Sequence, residues 1–110
     1  MKKSSWVTWA IAAVIIIAAL LVSNKPENTT SEELAKCIGE NSILYVQLGC
    51  PHCKTQEDMF GENKKYLNKV DCFFEGGKCE NITATPTWEI NGERHTGIQK
   101  IDKLKKLTRC

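Results

Sequence analysis

The hexapeptide Gly49-Cys50-Pro51-His52-Cys53-Lys54 constrains this chain more than any other stretch. It follows an apolar run, Ile43 to Leu48, and precedes a segment of helical character, Lys54 to Phe60. A strand, a tight turn holding two cysteines and a helix start give a Cys-x-x-Cys pair the setting of a redox site. With Cys50 as N-cap, Pro51 falls at the first helical position, where its missing N–H costs nothing and its fixed φ suits a helix start. The N–H groups of His52 and Cys53 then point back at the Cys50 sulfur, and the positive end of the helix dipole favours thiolate over thiol. The thiolate is the attacking species in disulfide exchange. His52, protonated or donating a hydrogen bond, would stabilise it further. Cys53, deeper in the helix, would be the resolving thiol.

Two blander readings compete. A Cys-x-x-Cys can be half of a zinc site, but the other candidates (Cys37, Cys72, Cys79, His95 and Cys110) form no second Cys-x2-Cys, and no metal is assigned. An inert structural disulfide would occupy a strained two-residue loop. Redox chemistry is the preferred reading.

Six cysteines in 110 residues favour an oxidising, extracytoplasmic setting. The formal net charge is +2, and without Lys2 and Lys3 the remaining charges balance. There is no basic stripe, so nothing points to nucleic acid.

A short basic lead, Met1 to Ser5, precedes Trp6 to Val22, a run of 17 residues broken only by Thr8. As a helix this run spans about 25 Å, or about 30 Å with its serine flanks, enough for a bilayer core. Trp6 and Trp9 lie beside the lysines, where interfacial aromatics belong. The expectation is an uncleaved signal anchor, residues 1–23, with the N-terminus cytoplasmic and the rest outside the cell membrane. A cleaved signal peptide is the rival, disfavoured because Leu20 to Asn24 offers no small-x-small site.

Residues 24–29 read as a polar tether. A folded domain is expected over 30–110. Thr30-x-x-Glu33 is a capping-box pattern opening a helix through about Ile38, with Gly39 as C-cap. Ile43 to Leu48 reads as a buried strand, Val70 to Phe74 as a second strand, and Glu75 to Lys78 as a loop. Thr85-Pro86-Thr87-Trp88-Glu89-Ile90 reads as a strand whose proline is confined to its start or to an edge. Asn91-Gly92 signals a type I′ hairpin returning over Glu93 to Thr96. Ile98, Ile101, Leu104 and Leu107 mark a final amphipathic helix.

This order resembles a trimmed thioredoxin-like α/β fold, a central mixed sheet flanked by helices, here preceded by one transmembrane helix. Cys-Pro-His-Cys with Met59-Phe60-Gly61, Pro86-Thr87-Trp88-x-Ile90-Asn91-Gly92 and Thr96-Gly97-Ile98-Gln99 is similar to the thioredoxin-like partner domain of bacterial vitamin K epoxide reductase homologues. Dsb-type oxidases also carry Cys-Pro-His-Cys. The resemblance implies Cys50 as nucleophile, Cys53 as resolving thiol, and Pro51 and His52 as tuners of the thiolate. It implies a cis Pro86 beside the pair, with Thr85 offering its backbone to an extended substrate; only X-Pro bonds adopt cis at modest cost. The sequence departs from thioredoxins proper where they carry a buried acid, here Leu44, so Glu57 or water would have to move the proton.

The other four cysteines allow three connectivities. Cys72 and Cys79 flank a Gly-Gly loop that closes easily, and the resemblance suggests a structural bridge there. Cys37 and Cys110 then remain, to pair with each other, to stay free, to pair between molecules or to join an electron relay.

The expected function is a membrane-anchored disulfide donor to exported protein thiols, without a cofactor, reoxidised by an integral-membrane quinone-linked partner. The alternatives are a reductase or isomerase of the same fold, and a Cu(I)-delivery protein using Cys50 and Cys53 as soft ligands.

Overall fold

The computed structural model describes residues 2–23 and 30–110, with side chains over 6–17 and 30–110. The tether expected over 24–29 lies outside the described residues. The first helix, α1, runs Lys2–Ser23. Among the described residues no helix is long and apolar enough to cross a membrane. The transmembrane helix expected from Trp6 to Val22 is therefore corrected.

The folded region is an α/β domain on a mixed four-stranded sheet of order β2-β1-β3-β4. The strands are β1 Ile43–Val46, β2 Lys69–Asp71, β3 Thr87–Ile90 and β4 Glu93–Thr96. β2 pairs parallel to β1, β3 antiparallel to β1, and β4 antiparallel to β3. Helices α2 Glu32–Glu40, α3 Pro51–Asp58 and α4 Ile101–Thr108 complete it, with 3₁₀ turns at Gly61–Tyr66 and Gly76–Lys78.

Side-chain alternation explains the sheet. Leu44 and Val46 on β1 share a face with Trp88 and Ile90 on β3, since Leu44 pairs with Trp88. That face joins Ala35 and Ile38 of α2, Cys53 of α3, Phe60, Leu67 and Leu104 of α4 in one core. The opposite face carries Tyr45 and Glu89, whose side chains hydrogen-bond at 3.4 Å, with Arg94 over the Tyr45 ring.

Several element ends differ from expectation. The cap of α2 is Ser31, whose hydroxyl accepts from Leu34 N–H at 3.3 Å. Thr30 is instead buried, and its hydroxyl donates to the Met59 carbonyl at 2.9 Å. α2 continues past Gly39 to Glu40, because Gly39 is required for a close approach rather than a cap. A Cβ there would lie 2.0 Å from the Tyr66 carbonyl oxygen. Gly39→Ala is expected to cost about 3 kcal/mol or more, since backbone cannot yield as a side chain can. A thermal melt would check this; a cost under about 1 kcal/mol would mean that the Tyr66 segment moves aside.

β1 ends two residues early and β2 stops at Asp71, because both strands give way to turns at the same end of the sheet. The final helix starts at Ile101, not Ile98. Asn91 and Gly92 both take positive φ, 51° and 78°, as a type I′ hairpin demands. α4 closes on Arg109 in the left-handed conformation, and Cys110 N–H returns to the Lys105 carbonyl at 3.0 Å. That turn sets Cys110 against α2, where it bonds Cys37.

Candidate functional site

The site is assembled by strand register. The connection from β1 through α3 to parallel β2 puts the N-terminus of α3 over the C-terminal end of β1. β3 runs antiparallel, with Tyr45 opposite Thr87, so the residues entering β3 arrive at that same end. Thr85 and Pro86 are thereby set beside Cys50, although 35 residues separate Thr85 from it in sequence.

A turn delivers Cys50. Gly49 takes φ 82°, and Cys50 N–H donates to the Gln47 carbonyl at 3.0 Å. Cys50 is the N-cap of α3, Pro51 stands at the helix start, and Cys53 N–H donates to the Cys50 sulfur at 3.2 Å. Cys50 and Cys53 are joined as a disulfide. Cys53 is 3% exposed, whereas Cys50 is half-buried, so an incoming thiolate meets Cys50 first.

The Thr85–Pro86 peptide is cis. The Thr85 hydroxyl donates to the Cys50 sulfur at 3.4 Å. The Thr85 carbonyl oxygen lies 3.5 Å from the same sulfur. In the disulfide that sulfur has no proton, so this second approach becomes a hydrogen bond only once Cys50 is a thiol. The resemblance implied a backbone role for Thr85; its hydroxyl contact with the Cys50 sulfur was missed. His52 is exposed, and among the described residues its ring makes no hydrogen bond to either sulfur.

Beneath the pair lies a second arrangement that sequence reasoning missed. Gln56 is fully buried, one turn past Cys53. Its Oε1 accepts from Trp88 Nε1–H at 3.0 Å and from Gln99 N–H at 2.6 Å. Its Nε2 donates to the Gln99 carbonyl at 3.0 Å. One amide therefore ties α3 to β3, two residues past the cis proline, and to the turn before α4. Cys53, Gln56 and Phe60 follow i, i+3, i+7 spacing, which was the sequence signal that Gln56 faces inward.

A groove of about 440 Å³ runs beside the disulfide on its β2 side. Cys50, Cys53, Glu57, Lys69 and Asp71 are among its lining residues. Glu57 and Lys69 form an ion pair there. Leu44, where thioredoxins carry an acid, is fully buried in the core. Lys54 and Asp58 pair at 2.8 Å on the outer face of α3. The hydrogen bond from Lys54 holds the Asp58 carboxyl below its ordinary range, and the same bond raises Lys54.

Two further disulfides brace the domain. Cys72–Cys79 closes the loop after β2, and Cys37–Cys110 joins α2 to the end of α4 across 73 residues of sequence. Among the described residues no group of three His, Cys, Asp or Glu side chains could hold a metal ion. No family model matches the chain.

Proposed function

We propose that this chain is a thioredoxin-like thiol–disulfide oxidoreductase that donates the Cys50–Cys53 disulfide to protein thiols. The carrying observation is the pair of donors aimed at the Cys50 sulfur, Cys53 N–H at 3.2 Å and Thr85 Oγ1 at 3.4 Å. Both favour the thiolate that Cys50 becomes on reduction. A stabilised thiolate stabilises the reduced form, so the disulfide is given up readily.

A substrate thiolate attacks Cys50 Sγ. The Cys50–Cys53 bond breaks, a mixed disulfide forms, and Cys53 leaves as a thiolate that takes up a proton. A second substrate thiolate then attacks its own sulfur in the mixed disulfide and releases Cys50 as thiolate. The substrate loses two electrons and two protons. Reoxidation returns the two electrons to an acceptor, by resemblance an integral-membrane quinone-linked protein. Glu57, paired with Lys69 and lining the same groove as Cys53, is the carboxylate assigned to the proton of Cys53. Three disulfides fit an oxidising compartment.

The test is the equilibrium reduction potential of the full chain in glutathione buffers. A value near about −120 mV is expected for a donor, and a value near about −270 mV would reverse the direction of flow. Thr85→Val removes one donor, worth about 1–2 kcal/mol to a charged sulfur, and should lower the potential by roughly 30 mV. An unchanged potential in that variant would remove the hydroxyl from the account.

A further inference from the structure

Outside α1, the large apolar side chains left exposed among the described residues are Leu48, Phe73, Phe74 and, barely, Ile98. The first three stand 60%, 62% and 70% exposed at one end of the sheet. Asp71 gathers them. Its Oδ1 accepts from Leu48 N–H at 3.3 Å and from Phe73 N–H at 2.9 Å. Leu48 lies two residues before Cys50, so one carboxylate anchors both the aromatic loop and the segment that leads into the cysteine.

The loop is built to hold that position. Cys72 N–H bonds the Val46 carbonyl at 2.8 Å, Glu75 N–H bonds the Asp71 carbonyl at 2.8 Å, and the Cys72–Cys79 disulfide closes the far side. The two phenyl rings stack edge to face with centroids 5.0 Å apart. Aromatic rings held out of the core by a braced loop expose apolar area that folding alone does not call for.

We propose that Leu48, Phe73 and Phe74 form a selectivity surface for polypeptide segments that carry an apolar side chain next to their cysteine. This rests on the redox reading above and names the substrate class for the same sulfur. The patch amounts to on the order of 400 Å², well short of the roughly 800 Å² per partner that a stable dimer needs. Leu48 lines the same groove as Cys50, to which the occupant must bond covalently, and a lipid surface seated there would shut that sulfur away from substrate. The groove is lined by two basic and two acidic side chains, Lys54 and Lys69 with Glu57 and Asp71, so it carries no net charge that would select for either sign. A short apolar stretch of a non-native chain fits these terms.

The test is stopped-flow formation of the mixed disulfide on the oxidised full chain. The probes are a peptide with Phe-Cys-Leu, the same peptide with Ser-Cys-Ser, and glutathione as a measure of the sulfur chemistry alone. Wild type should react at least tenfold faster with the apolar peptide than with the serine peptide, after correction for thiolate fraction. In Phe73→Ser/Phe74→Ser that ratio should fall to about one. Leu48→Ser, which leaves the aromatic loop intact, should lower the ratio part of the way. Equal rates for the two peptides in wild type overturn the inference while leaving the redox reading standing. So does binding to phosphatidylcholine vesicles that the double variant loses, with no peptide discrimination. Failure of all three thiols to react overturns the redox reading, and the selectivity surface with it.

Discussion

Cys50→Ser is expected to abolish disulfide exchange by the full chain, and Cys53→Ser to leave a species that accumulates covalent adducts. The asymmetry follows from burial and order. Cys50 is the half-buried sulfur with two donors aimed at it, and Cys53 is 3% exposed beneath it. Without Cys50 there is no accessible sulfur at the site, and turnover of a model dithiol peptide should drop by at least about a thousandfold, to the uncatalysed level. Without Cys53, Cys50 still joins a partner, but no resolving thiolate can displace it. Mass spectrometry of the purified Cys53→Ser chain should find mixed disulfides at Cys50. Adducts on Cys53 in the Cys50→Ser chain would exchange the two roles.

Trp88→Ala should cost about 4 kcal/mol, which in a domain of about 80 residues lowers Tm by roughly 20 °C. The ring is fully buried on the core face of β3 and packs on Phe60 with centroids 6.1 Å apart. Its indole N–H is also one of the two donors on the Gln56 Oε1. Trp88→Phe separates the two contributions. It keeps most of the volume but loses that donor, and should cost about 1–2 kcal/mol. A Trp88→Ala chain melting within about 5 °C of wild type would show that the core refills around the gap and that β3 is not held through this ring.

The site was legible wherever neighbours in sequence supply the chemistry. Cys50 as N-cap, Pro51 at the helix start and a returning N–H from Cys53 all lie within four residues, and local backbone rules determine them. The Asn91-Gly92 hairpin was legible for the same reason: its two positive φ values suit few other residue pairs. Helix ends were read less well. Thr30 and Ser31 both can cap, and the choice fell to Ser31 because Thr30 is taken up by the Met59 carbonyl, 29 residues away.

Apolar composition alone misled at the N-terminus. The run Trp6 to Val22 is rich enough in apolar residues to suggest a span, yet among the described residues no helix meets the length and apolarity for one. Gly39 misled in a smaller way. A glycine near a helix end looks like a cap, and only the packing of α2 on the Tyr66 segment reveals that the missing Cβ is the point.

By itself, then, the sequence determined the strand–turn–helix around the cysteine pair, the hairpin and the amphipathic character of α4, because each depends on spacing within a few residues. Tertiary structure alone decided three things. It brought the Thr85 hydroxyl to the Cys50 sulfur, buried the Gln56 amide between Trp88 and Gln99, and set Phe73 beside Leu48 on the Asp71 carboxylate. Each joins residues more than 20 positions apart, and the parallel and antiparallel registers of the sheet, which no local propensity encodes, are what bring them together.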